Sequence, residues 1–223
     1  DGGVIEAAVD RKAAEYVLSL GGVARINGQD REFRAVADLP KEQFTLTWAY
    51  LGGTAVTDAG LANFKDCKGL IWLDLGAAGV TDAGLANFKD CKGLTWLNLG
   101  GPGVTDAGLA NFKDCKGLKE LGLSGTGVTD AGLVNFKDCK GLTNLNLRGM
   151  AVTDAGLVNF KDCKGLIWLD LNGTKVTDAG LAHLKDCKGL LFLDLRPLAP
   201  GVTDAGLANL KDCKGLQTLY LVG

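Results

Sequence analysis

The stretch V-T-D-A-G-L-A-N-F-K-D-C-K-G-L-T-W-L-N-L, Val80–Leu99, decides the fold. Its opening V-T-D-A-G-L occurs seven times, starting at Val56, Val80, Val104, Val128, Val152, Val176 and Val202. The step is 24 residues except at the last unit, where Arg196 to Gly201 carries two extra residues. Self-similarity at such a period is the signature of a solenoid, in which each unit packs only on its neighbours. Near-identical stacked units build a surface rather than one reaction centre, so the pattern points towards binding.

Each unit has two halves. Eight copies of an L-x-x-L-x-L segment begin at Leu46, Leu70, Leu94, Leu118, Leu142, Leu166, Leu190 and Leu216, the first with Ala49 at its second Leu position. Alternation in the second half of that segment is the period of a strand, with leucines inward and the residues between them outward. V-T-D-A-G-L-A-N-F-K-D reads as a short helix: Thr57 is placed to N-cap it, and Asp58 suits the first turn's dipole. Val56 and Leu61 stand at the two positions of a hydrophobic staple, and Leu61 with Phe64 covers the core. Gly60 argues for a short or partly 3₁₀ segment. Strands pack about 4.8 Å apart and helices about 10 Å apart, so the sheet side becomes concave. The expected fold is a right-handed α/β horseshoe: a concave parallel sheet backed by short convex helices.

Residues 1–45 do not match the repeat. Asp10 is expected to N-cap a helix running to about Leu20, stopped by Gly21-Gly22. Asn27-Gly28, between V-A-R-I and R-E-F-R-A-V, signals a hairpin. Helix plus hairpin is expected to cap the array, which fills 46–223. No capping helix follows Leu221-Val222-Gly223, so the parent chain continues or two arrays meet there as a homodimer. An opening Asp1-Gly2-Gly3 without Met reads as a fragment.

L-x-x-L-x-L at this period resembles the leucine-rich repeat. The V-T-D-A-G-L helix start, and a Cys three residues before the first Leu as in Cys67-Lys68-Gly69-Leu70, resemble its cysteine-containing class. The repeat length and the monotonous F-K-D-C-K-G-L are similar to bacterial tandem members of that class, and the D-R-K-A-A-E-Y-V-L-S segment resembles their leader. Such arrays can accompany signalling domains, but nothing kinase-like lies in this chain. One departure stands out: the Asn or Cys usual after the strand is replaced by Thr54, Ala78, Pro102, Thr126, Met150 and Thr174, so the usual side-chain ladder is expected to be incomplete.

At 223 residues and 47% hydrophobic residues the chain has ample material for a continuous core. A net charge of -2 without like-charge blocks gives nucleic-acid binding no footing. No apolar run approaches the roughly 18 residues of a membrane span, and no signal peptide heads the chain. Cys67, Cys91, Cys115, Cys139, Cys163, Cys187 and Cys213 occupy one position of every unit. Stacking brings their Cα atoms about 5 Å apart, within bridging range. Yet stacked side chains point in parallel, and an odd number cannot pair internally. A reduced buried ladder, and with it a cytoplasmic setting, is expected. Zinc is not: there is no C-x-x-C, and His183 is the one histidine. His183 reads as an exposed substitution for the Asn of other helices.

K-D-C-K-G-L is identical in all seven copies, and its charges read as a solvated convex face. Variation falls between the leucines. One outward column runs Trp48, Trp72, Trp96, Glu120, Asn144, Trp168, Phe192, Thr218; the next runs Tyr50, Asp74, Asn98, Gly122, Asn146, Asp170, Asp194, Tyr220. Arg148 and Arg196 depart in charge just beyond the strands. Every tryptophan of the chain lies in the first column. The rings either pack on one another and cover the sheet or mark an interaction site.

The expected function is a non-catalytic module binding a protein or peptide on this face, without metal or cofactor. Trp72 and Trp96 are the expected anchors, flanked by Trp48 and Trp168. Asp74, Asn98 and Asp170 are expected to orient the ligand and Arg148 to select acidic groups, with Tyr50, Asn146, Phe192, Asp194 and Tyr220 completing the surface. Asp170 and Asp194 have the separation of a glycosidase pair, but an open sheet would not desolvate them. Alternatives are an assembly element of a larger signalling protein, a deliberately diversified repeat binder, and a carbohydrate-binding face.

Overall fold

The structure, a computed structural model, describes residues 2–196 and 201–221, with side chains from residue 8 onward. Most of the two-residue insertion before the last unit, and Val222-Gly223, lie outside the described residues.

Helix α1 (Gly2–Ser19) comes first. It begins eight residues before the expected cap, because E-A-A-V at 6–9 consists mostly of good helix formers. Asp10 is therefore interior to the helix and only 7% exposed. It hydrogen-bonds the thiol of Cys67 in the first unit. Ala13, Ala14, Val17 and Leu18 are buried as the apolar spacing requires. Gly21, at φ +76°, ends the helix: its N–H donates to Leu18 O and that of Gly22 to Val17 O. These are the two bonds of a left-handed C-cap.

Strand β1 (Val23–Ile26) follows, then a turn with both Asn27 and Gly28 at positive φ. The turn is the expected one, but the hairpin is not. The return arm makes a single backbone bridge to β1, Ala24–Phe33, and the strand ladder of β1 is the antiparallel one with β2 (Leu46–Tyr50). Phe33 thereby covers one edge of β1 while β2 takes the other.

From β2 the sheet is parallel and sequential: β3 (Trp72–Leu75), β4 (Trp96–Leu99), β5 (Glu120–Gly122), β6 (Asn144–Asn146), β7 (Trp168–Asp170), β8 (Phe192–Asp194) and β9 (Thr218–Tyr220). Equivalent residues are in register throughout, as in Trp72↔Trp96 and Asp170↔Asp194. Each of the next seven helices, α2 (Asp58–Leu61) to α8 (Asp204–Leu207), is one four-residue turn that tightens into a 3₁₀ turn, as the glycine inside it implies. Thr57 and its counterparts accept a backbone N–H at the N-cap.

Between sheet and helical turns lies one continuous core of the leucines of β3–β8, Val56 and its equivalents, and the fully buried Phe64, Phe88, Phe112, Phe136 and Phe160. The cysteines form the expected ladder of free, buried thiols. From Cys91 onward each S–H donates to the carbonyl of the preceding cysteine, as in Cys91 Sγ to Cys67 O at 3.1 Å. Burial pushes Cys91, Cys115, Cys139, Cys163 and Cys187 up to about 12 and raises Cys67 and Cys213 as well.

The side-chain ladder after the strand is incomplete, since Ala78, Pro102 and Met150 carry no hydrogen-bonding group, but threonines fill part of it. Thr54, Thr126 and Thr174 donate their hydroxyls to Leu51, Leu123 and Leu171 O at 2.7–2.8 Å. On the helical side Asp58 accepts from both the N–H (2.8 Å) and the hydroxyl (2.6 Å) of Thr81 in the next unit. The same pair of bonds joins Asp82–Thr105, Asp106–Thr129, Asp130–Thr153, Asp154–Thr177 and Asp178–Thr203. The aspartate that suits the helix dipole thus also links units.

Candidate partner-binding face

The outward residues of β2–β9 share the sheet face opposite the helical turns. Trp48, Trp72 and Trp96 sit in register on adjacent strands and stack, with centroids 4.0 and 3.9 Å apart and interplanar angles of 21° and 13°. Tyr50 stacks on Trp48 and Trp72 at 6.1 and 6.2 Å. Arg25 lies 4.9 Å over Trp48, held by Asp30 and Glu32. At the other end Trp168 stacks on Phe192 at 5.0 Å, Phe192 meets Tyr220 edge-on, and Arg196 lies 4.0 Å over Tyr220.

Between the two aromatic blocks the column changes character. Trp96, Asn98, Glu120, Leu121, Gly122, Asn144, Leu145, Asn146 and Trp168 enclose a hollow of about 320 Å³. Gly122 forms part of its floor: its neighbours in register are Asn98 and Asn146, and the Asn98 side chain lies over it where a Cβ would stand. One oxygen of Glu120 accepts the Trp96 indole N–H at 3.0 Å.

The carboxylates of the second column depart from expectation. They were expected on an open sheet without desolvation, yet Asp74, Asp170 and Asp194 are 8%, 6% and 2% exposed. Each turns back on its own chain and accepts the N–H two residues on: Gly76, Asn172 and Arg196. Asn146 does the same for the N–H of Arg148, and Asp74 also accepts from Asn98 at 2.9 Å. Burial raises Asp74 and Asp170, and for Asp170 the neighbouring Asp194 adds to the rise while Arg148 and Arg196 oppose it. Arg196, bidentate on Asp194, holds that carboxyl below its usual range. Two adjacent carboxyls with divergent acidity would suit acid/base work. Here their oxygens fasten strand exits, and the described hollow lies elsewhere on the sheet.

The structure therefore brings Trp48, Tyr50, Trp72 and Trp96 together, and Trp168, Phe192 and Tyr220 together, with Asn98 and Asn146 between. Arg148 is exposed beside the strand exits. Sequence reasoning passed over Glu120, Gly122 and Asn144 because it weighted large side chains. The signal available was the interruption itself: two adjacent polar residues, Glu120 and Asn144, between aromatic blocks of the column. His183, expected to be exposed, is half-buried. Its asparagine counterparts donate to the glycine carbonyl three residues back, as Asn63 does to Gly60. Among the described residues no group of acidic, Cys and His side chains is placed to hold a metal, and no helix is long and apolar enough to cross a membrane.

No protein-family model and no curated protein sequence matches the chain. Among solved structures it is similar to an internalin C2 of Listeria monocytogenes, with a TM-score of 0.60 and 19% identity over 95% of this chain and 93% of that one. An internalin (inlF) of the same organism aligns with a TM-score of 0.46 and 16% identity over 78% of this chain and 66% of that one. With strand, helical turn and buried cysteine recurring every 24 residues along one open sheet, the chain has the fold of a leucine-rich-repeat solenoid.

Proposed function

We propose that the chain is a non-catalytic binding module whose outer sheet face takes a protein or peptide partner. The observation that carries this is the hollow between Trp96 and Trp168, a depression with aromatic walls and polar side chains at the middle of an aromatic face. Both blocks beside it are already packed within the molecule, so little ordering is left to oppose binding. Trp72 has a ring on each of its faces, which moves the proposed anchors from Trp72 and Trp96 to Trp96 and Trp168. The free thiols suit a reducing compartment, the cytoplasm among them.

Dodecapeptides selected by display on the folded chain test the proposal. Binding is expected to fall at least about tenfold in Trp96→Ala with Trp168→Ala, and to survive Lys137→Ala with Lys161→Ala on the convex side. Peptides indifferent to the tryptophan changes would refute it.

A further inference from the structure

The outer face holds a guanidinium on an aromatic ring beside a carboxylate at two places. Arg25 lies over Trp48 and pairs with Glu32 at 3.0 Å. Arg196 lies over Tyr220 and pairs with Asp194 at 2.6 Å. At the centre the ring and the carboxylate recur without the guanidinium. Trp96 and Trp168 supply indoles and Glu120 a carboxylate, and no basic side chain lines the hollow. Glu120 is fixed through Oε2 by the Trp96 N–H, which leaves Oε1 without a hydrogen-bond donor among the described residues. Asn98, whose N–H goes to Asp74, likewise keeps its carbonyl oxygen without a donor, and Asn144 makes no side-chain bond among the described residues. The hollow is therefore rich in unpaired acceptors, carries one negative charge, and has the ring surfaces on which cations rest.

We infer that this hollow receives a basic side chain, arginine or lysine, projected by an extended segment of a partner protein. The inference rests on the reading of the outer face as the binding surface and names the chemistry it selects. The guanidinium or ammonium lies against the indoles and donates to Glu120 Oε1 and the amide oxygens, as the chain's own arginines do at either end. The expectation that the face selects acidic groups through Arg148 is replaced at the centre by the opposite preference.

The test follows the indole N–H signals of the ¹⁵N-labelled chain during titration with three probes: acetyl-Gly-Arg-Gly-amide, acetyl-Gly-Gln-Gly-amide and chitotriose. The arginine peptide is expected to shift Trp96 and Trp168 at millimolar concentration, and Glu120→Gln to weaken that response at least about fivefold while the other indole signals stay in place. Equal response to the glutamine peptide, response to chitotriose without arginine, no response, or no effect of Glu120→Gln would each overturn the inference. Equal response to both peptides would still leave the face as a peptide surface. That broader reading fails only if display-selected peptides ignore Trp96→Ala with Trp168→Ala.

Discussion

Strands β2–β4 and strands β5–β6 present the same column of the same sheet, and they use it in opposite ways. In the first, three indoles close on one another at 3.9–4.0 Å. In the second, a glutamate and an asparagine stand beside a glycine and leave a hollow. The backbone register is identical in both regions, so the difference belongs to side chains alone. Repetition sets the geometry of every position. Departures from repetition decide whether a position packs internally or stays available to a partner.

Trp72→Ala breaks the closed region and has the largest expected effect on stability. It removes three ring contacts, with Trp48, Tyr50 and Trp96, each worth about 0.5–1.5 kcal/mol beyond area burial, for a loss of about 1.5–4.5 kcal/mol in urea unfolding. A loss below about 0.5 kcal/mol would mean that the stack is surface decoration. Glu120→Gln in the open region is expected to change stability by less than about 0.5 kcal/mol, the usual range for a surface substitution.

Ala77→Gly sharpens the comparison from the loops. Gly53, Gly101, Gly125, Gly149 and Gly173 hold positive φ at the turn after the strand, and Ala77 holds φ +53° at the equivalent place. Relieving it should stabilise the chain by about 1 kcal/mol, read as a higher urea midpoint.

The effect of pH is cumulative over the whole thiol ladder. An unfolded thiol ionises near pH ~8.5, whereas burial pushes Cys115 and Cys139 up to about 12. The folded state holds more protons between those values, so stability is fully present below the lower one and falls as pH rises through the window. Unfolding at pH 7 and pH 10 should show the drop, and Cys115→Val with Cys139→Val should reduce it.

The solenoid was legible because leucine spacing, threonine caps and turn glycines recur, and each repeat corroborates the others. Three features were not legible, for physical reasons. Asp58 reads as a local dipole partner, and only folding brings Thr81 of the next unit to it. Asp74, Asp170 and Asp194 look exposed by strand alternation, yet each bends back to an N–H two residues on and so loses water. Gly122 acts by lacking a side chain, which a search for anchoring groups does not notice. At the N-terminus, Asp10 as a cap gave way to the helix formers before it.

The central claim is that the stacked indoles hold the face together while the hollow binds. Affinity for a display-selected peptide, measured alongside urea unfolding for Trp168→Ala, tests it most directly. Binding weakened at least about tenfold in a chain that still unfolds cooperatively is expected; unchanged affinity in that folded variant would show that the hollow does not bind.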